Sequence, residues 1–184
     1  MDIGDAQREM RSAFLGGFMG QLVSFVLWLV AAGLGTWGTQ RQAIVWLVVA
    51  GIFIFPMTQL GLRLIGRPGR VAPENPLYAL GAQVAVVLPL CLPVVGAAAL
   101  YRIDWFFPAF MVVLGAHYLP FVTLYGMWMF AALAAVLWAG GLTLALWVEL
   151  PWAAGAWMTA ALLLGFALAG RQLALAEERA LETL

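Results

Sequence analysis

Lysine is absent from this 184-residue chain, and nine arginines balance nine acidic residues, so charged residues make up only 10% of the sequence. Nucleic-acid binding requires an extended basic surface, which this composition excludes. Cysteine and histidine occur once each, as Cys91 and His117. The chain therefore cannot form an internal disulfide or a zinc site from these residue types, and we predict no metal and no cofactor.

The sequence also lacks the residue patterns of common hydrolases. It has no HExxH motif, no second histidine, and no serine, histidine and aspartate at spacings that suggest a triad. No catalytic residue is therefore predicted. An intramembrane enzyme acting on lipid, with His117 as a base, is the weakest of the functional hypotheses.

Hydrophobic residues dominate, at 65% of the chain with a mean hydropathy of +0.97, which indicates an integral membrane protein. Because a bilayer core of about 30 Å needs roughly 20 apolar residues per helix, we predict an all-α, polytopic transmembrane bundle of about six helices. It forms a single domain over residues 1–184 with short loops, an N-terminal leader at 1–12 and a C-terminal tail at 171–184. The predicted spans are 13–36, 42–65, 77–100, 106–125, 127–149 and 152–170.

The distribution of arginine predicts the orientation of these spans. With both termini in the cytoplasm, seven of the nine arginines lie inside and only Arg41 and Arg102 lie outside. Five tryptophans then gather at the outer ends of the spans, where indole is favoured: Trp37, Trp46, Trp105, Trp147 and Trp152. The abundance of Ala, Gly and Arg is typical of a GC-rich genome, so we expect a bacterial cytoplasmic (inner) membrane.

Polar side chains inside the spans are the best guides to function, because unpaired polar groups are costly in lipid. Gly17, Gln21, Ser24 and Trp28 are spaced by four, three and four residues and share one helical face. Most polar groups fall in the cytoplasmic halves of the spans and predict a polar cavity that opens to the cytoplasm. The candidate cavity residues are His117, Gln21, Gln59, Arg63, Gln83 and Tyr125.

Four prolines within the predicted spans, Pro56, Pro89, Pro93 and Pro120, predict interrupted helices. Transporters use such broken helices to coordinate solutes, although kinked packing helices are the commoner outcome. Asn75 is expected to cap the third span.

Small residues at a spacing of four predict close helix packing, both at Gly16 and Gly20 and in a row at residues 131, 135 and 139. We expect these faces to support a homo-oligomer, with membrane lipids as the other partners.

Charged loops add two further candidate sites. In "GRPGR", Arg67 and Arg70 are candidates for binding phosphate or a lipid headgroup, although arginines that only set topology explain them equally well. At the outer face, Arg102, Asp104 and Glu149 are expected either to form ion pairs, with Arg41 as a further partner, or to form a ring that admits cations.

The stretches "GRPGR…ENPL", "DWFFPAF" and "GAHYLPFVTLYGM" resemble a family of small bacterial integral membrane proteins of unknown function, over about residues 12–140. The resemblance implies six helices with cytoplasmic ends. It also implies that the stretches around Arg67, Phe107, His117 and Tyr125 are signature positions. It implies no activity.

Two functional hypotheses remain open. The first is a transporter or channel for a small solute or ion, in which the polar residues line a cavity and His117 carries a proton or contacts the ligand. The second is a non-catalytic bundle that assembles with itself or with a partner membrane protein, in which the same residues only hydrogen-bond between helices.

Overall fold

The computed structural model describes residues 1–182, and all of its regular elements in that range are helices. The predicted all-α class is therefore confirmed. The α-helices are α1 Ile3–Phe14, α2 Phe18–Trp37, α3 Gln40–Gly51, α4 Ile54–Leu64, α5 Tyr78–Tyr101, α6 Phe106–Tyr118, α7 Phe121–Tyr125, α8 Met129–Leu146 and α9 Ala154–Glu182, with 3₁₀ turns at Leu15–Gly17 and Ile103–Trp105.

Five helical segments within the described residues are long and apolar enough to cross a membrane. They are Ile3–Trp37, Tyr78–Tyr101, Ile103–Tyr125, Met129–Leu146 and Ala154–Leu181. Helices α3 and α4 are together also long and apolar enough to cross a membrane. Counting this pair as one segment gives six candidate spans. The chain is thus an α-helical protein whose helices are suited to a bilayer.

The second predicted span is not one kinked helix. It consists of α3 and α4, which meet at an angle of 60°. The break lies at Ile52 and Phe53, upstream of Pro56, so that Pro56 occupies the first turn of α4. Proline is tolerated there because the first N–H groups of a helix have no carbonyl to bind.

The other intramembrane prolines have unequal effects. The predicted break at Pro120 is confirmed, because α6 ends at Tyr118 and α7 begins at Phe121. Pro89 and Pro93, in contrast, lie inside the continuous helix α5. Helix α5 is the least enclosed of the spanning segments, with 11% of its most apolar window buried.

The predicted leader, residues 1–12, is largely helical. They form most of α1, which begins at the Asp2 cap and buries Ala6, Met10 and Ala13. A tight joint follows, in which Leu15, Gly16 and Gly17 all have positive φ. The joint lets α1 turn away from α2, because glycine enters the left-handed region at little cost.

The predicted C-terminal tail is also helical, because α9 continues to Glu182. Residues 183 and 184 of that tail lie outside the described residues. Helix α9 packs along α2 and also contacts the turn before it, where the backbones of Gly16 and Gly170 lie close together. A Cβ on Gly16 would lie 2.8 Å from the Gly170 carbonyl oxygen.

The core is centred on α2, α6, α8 and α9. Three residues of the predicted stripe, Gln21, Ser24 and Trp28, share one buried face of α2, and the Trp28 ring packs on Phe107 and Phe110 of α6. The fourth, Gly17, lies just before α2 and has a positive φ, so it is not part of that helical face.

Ala135 and Ala139 of the predicted alanine row on α8 are exposed, so the row does not form the contact between α6 and α8, and its role between copies of the chain stays a prediction. Helix α6 approaches α8 through Gly115 and Gly141 instead. These two glycines let the two backbones come together.

Candidate functional site

The two ends of the described chain are joined by an arginine of α1. The Nε and Nη2 atoms of Arg11 donate to the two carboxylate oxygens of Glu177 on α9, at 2.6 Å each. Its Nη1 donates to the Tyr125 carbonyl oxygen at 2.5 Å, at the end of α7. Arg11 thus holds three helices at one end of the bundle.

A second arginine makes the same kind of link from the loop after α4. Arg67 donates to Glu178 through Nη1 and Nη2, at 2.5 and 2.8 Å, and also to the Ser12 carbonyl oxygen at 3.2 Å. The hydrogen bonds that Arg67 donates to Glu178 raise the pKa of Arg67 above its ordinary value, so the pair stays charged. The GRPGR loop is therefore fixed to both α1 and α9.

Glu9 and Asn75 form the third link. The Asn75 Nδ2 donates to a carboxylate oxygen of Glu9 at 2.7 Å and to the Ala6 carbonyl oxygen at 3.2 Å. Its Oδ1 accepts from the Leu77 N–H at 2.8 Å, and the other Glu9 oxygen accepts from the Ala72 N–H. The expectation that Asn75 caps α5 is wrong, since that helix begins later, at Tyr78, and Asn75 instead fixes the loop to α1.

We expect the ion pair of Arg11 and Glu177 to contribute measurably to stability. Their side chains are only 15% and 34% exposed, so a double-mutant cycle of Arg11→Gln and Glu177→Gln should give a coupling free energy of about 1 kcal/mol. The measurement is reversible unfolding of the purified protein in detergent. The matched control is the pair of Arg8 and Asp5, whose side chains are half exposed and whose coupling should be near zero. Equal coupling free energies in the two pairs would contradict a special contribution of the ion pair between Arg11 and Glu177.

Next to this network lies an open pocket of about 530 Å³. It is lined by Gln59, Arg63, Gly66, Arg67, Pro68 and Arg70. The structure thus brings together two groups of predicted site residues: Gln59 and Arg63 from the proposed cavity, and the two arginines of the GRPGR loop. We call this the arginine pocket.

Four residues in the spanning segments carry a buried polar side-chain atom with no hydrogen-bond partner among the described residues, and one of them is Trp105, through its indole nitrogen. Both side-chain atoms of Gln21 are unpaired although the residue is 2% exposed, and the Thr58 hydroxyl and the His117 Nδ1 are also buried and unpaired. Thr58 faces α2 at Gly20, and the His117 ring packs on Tyr118 and Phe121. The buried interior therefore holds unused donors and acceptors at several points.

The other predicted cavity residues are placed differently. Gln83 lies on the exposed side of α5. Tyr125 is buried in a ring stack with Phe121 and Phe130, and its backbone carbonyl, not its hydroxyl, accepts from Arg11. Among the described residues no hydrogen bond joins His117 to Gln21, Gln59, Gln83 or Tyr125.

At the opposite end, no ion pair within residues 1–182 links Arg102 or Arg41 to Asp104 or Glu149. The Arg102 guanidinium instead lies over the Trp105 ring, 5.5 Å from its centroid. Two tryptophans at this end make hydrogen bonds between elements: Trp152 donates to the Ile103 carbonyl oxygen, and Trp157 donates to the Thr36 hydroxyl.

Sequence reasoning missed four residues of the network at the charged end, namely Glu9, Arg11, Glu177 and Glu178, and it gave Asn75 a different role. One available signal is the spacing of Ala6, Met10 and Ala13, which marks an apolar helical face on α1. The adjacent acidic residues Glu177 and Glu178 near the end of α9 are a second signal, because carboxylates next to an apolar segment are expected to have basic partners.

The comparisons with known proteins agree with this description at the level of the family. The model of a family of unknown function, DUF7010, matches residues 3–171, from the start of α1 into α9. No curated protein and no solved structure matches the chain. The predicted resemblance to a family of unknown function is confirmed to that extent. Because the match covers most of the chain, the protein belongs to the family of unknown function DUF7010.

Proposed function

We propose that the protein is a transporter or channel for a small solute or ion, with a polar path through the interior of the bundle. The observation that supports this function best is the Gln21 side chain, which is buried in α2 and has neither its amide nitrogen nor its carbonyl oxygen paired with any group of residues 1–182. Thr58 and His117 supply further unpaired groups at other helices.

The energetic argument starts from the cost of such groups. Moving an amide from water into apolar surroundings without a hydrogen bond costs about 2 to 7 kcal/mol. A membrane protein that keeps several such groups in its spans gains from them only if water or a solute pairs with them. A hydrated path is the simplest arrangement that removes this cost.

The arginine pocket supports an opening of the path at the end of the bundle where the termini meet. That end carries Arg8, Arg11, Arg63, Arg67 and Arg70, and the arginine bias favours the cytoplasmic side for it. Gln59 extends from α4 toward this pocket, one residue after the unpaired Thr58. The polar groups of α4 therefore run from the interior toward the charged end.

Flux into proteoliposomes tests this function. We expect liposomes that contain the protein to dissipate a gradient of at least one small probe, such as protons, potassium chloride or potassium phosphate, faster than empty liposomes. Gln21→Leu should abolish the excess rate, because it removes the unpaired amide without reducing side-chain volume. Gln83→Leu is the matched control and should retain the rate, because Gln83 is exposed on α5. Equal rates in both variants would contradict a path at Gln21.

A different observation favours assembly as a second function. Helix α5 exposes Val86, Val87, Leu90 and Val94, and only 11% of its most apolar window is buried within the chain. Such a face fits either lipid or another helix. If the protein acts by assembly, it should elute as a stable oligomer in mild detergent, and Leu90→Trp should dissociate it without lowering its helix content.

A further inference from the structure

We propose that the arginine pocket binds a phosphate group, presented by an anionic phospholipid headgroup, through Arg63, Arg70 and Gln59. This inference does not depend on the transport function. It rests on the charge balance of the pocket, on its rigid frame and on the apolar residues at its edge.

Charge is the first argument. Arg67 is already neutralised by Glu178 at 2.5 and 2.8 Å. Arg63 and Arg70 make no hydrogen bond and no ion pair with any residue in the described part of the chain, and no acidic residue lines the pocket. Two free guanidinium groups thus face a cavity of about 530 Å³. Guanidinium pairs with phosphate oxygens in a bidentate geometry, which makes a phosphate the ligand of best fit.

The rigid frame is the second argument. Gly66 and Gly69 adopt positive φ, which turns the GRPGR loop back on the end of α4. The loop is then fixed at its backbone, where the Arg67 N–H donates to the Leu62 carbonyl oxygen and the Gly69 N–H donates to the Ala13 carbonyl oxygen. A ligand meeting this loop therefore finds arginines on a backbone that is already ordered, which reduces the entropy lost on binding.

The surroundings of Arg63 identify the source of the phosphate. Three apolar side chains near Arg63 are exposed. Leu60 (58%) and Leu64 (79%) lie on the same helix, and Ile65 (44%) follows that helix directly. A soluble phosphate makes no use of this apolar surface, whereas the acyl chains of a phospholipid cover it when the headgroup lies in the pocket. Gln59, one helical turn before Arg63, offers an amide that can donate to a headgroup oxygen.

The test uses the full chain in nanodiscs, made either of phosphatidylcholine alone or with added phosphatidylglycerol. We expect phosphatidylglycerol to raise the Tm of the native protein. The double variant Arg63→Gln/Arg70→Gln should lose this rise and should retain phosphatidylglycerol about 30-fold more weakly in native mass spectrometry. The matched control, Arg41→Gln/Arg102→Gln, removes the same charge from the opposite end and should keep both effects.

A second arm separates the two sources of phosphate. Sodium phosphate is titrated against sodium chloride at equal ionic strength, in phosphatidylcholine nanodiscs. A rise in Tm with phosphatidylglycerol alone supports a headgroup site, and a rise with inorganic phosphate that needs Arg63 and Arg70 supports a phosphate site with a soluble ligand. The proposal fails if neither probe raises the Tm. It also fails if Arg63→Gln/Arg70→Gln and the control Arg41→Gln/Arg102→Gln lose the rise in Tm equally. Arg63→Lys/Arg70→Lys guards against misfolding, because it keeps the charge and should restore part of the retention.

Discussion

Gly141→Ala should lower the free energy of unfolding by about 3 kcal/mol, because it inserts a methyl group where two helix backbones touch. A Cβ on Gly141 would lie 2.6 Å from the Pro108 carbonyl oxygen and 2.9 Å from a Val112 methyl carbon. The carbonyl belongs to the backbone of α6 and cannot rotate away as a side chain can. Helix α8 must therefore shift outward along its contact with α6.

Gly115→Ala should have a similar effect from the other helix. The Cβ of the new alanine would lie 2.8 Å from the Ala134 carbonyl oxygen and 3.1 Å from the backbone nitrogen of Trp138. Gly165→Ala on α9 is the matched control: no atom of the described residues outside its own helix turn lies within 4 Å of the added Cβ, and the stability of this variant should stay within about 1 kcal/mol of the native protein. The measurement is reversible unfolding in mixed micelles. A loss at Gly165 as large as at Gly141 would show that the glycine contact is not the cause.

Asn75→Ala should lower the free energy of unfolding by a comparable amount, about 3 kcal/mol, because it removes three hydrogen bonds at a site that is 2% exposed. One of these bonds goes to the Glu9 carboxylate, which makes it stronger than a bond between neutral groups. The Ala6 carbonyl and the Leu77 N–H then lose their side-chain partner.

Asn75→Asp should be worse than Asn75→Ala at neutral pH, because it places a carboxylate against Glu9 and against the Ala6 carbonyl oxygen. The exposed neighbour Glu74 supplies the control, and Glu74→Ala should leave stability nearly unchanged. Limited proteolysis of the loop between α4 and α5 gives a local measurement, and both Asn75 variants should be cleaved faster there. Resistance equal to that of the native protein would contradict the link between this loop and α1.

The sequence predicts the features that depend on a local stretch of chain. Apolar runs of sufficient length locate the spans, and Pro120 locates the break between α6 and α7, because a missing N–H acts on its own helix. The bend between α3 and α4 is harder to place. Pro56 indicates an interruption, but proline is also accepted in a first turn, so the sequence does not say on which side the break lies.

The candidate site is less predictable, because its contacts join residues that are far apart in the sequence. Arg11 pairs with Glu177 and Arg67 pairs with Glu178 only after the first and last helices are packed together. The sequence identifies Arg67 and Arg70 as equivalent phosphate candidates. The structure distinguishes them, because Glu178 pairs with Arg67 and leaves Arg70 free to act with Arg63.

The absence of partners for the interior polar groups also depends on contacts between distant parts of the sequence. Gln21 can be placed on a polar stripe from its spacing, and its burial confirms that stripe. Whether a partner side chain reaches it depends on how the other helices pack around α2. No spacing rule in the sequence predicts that outcome.

The most direct test of the proposed path is the solvent accessibility of Gln21. The variant Gln21→Cys in a Cys91→Ala background is treated, in sealed vesicles, with a small thiol reagent that does not cross membranes, from the side that carries the termini. Gly66→Cys in the GRPGR loop is the exposed control. The proposed path predicts that both cysteines react from that side. A cysteine at position 21 that stays unreactive while the one at position 66 is labelled would show that the interior is dry and would contradict a transport role.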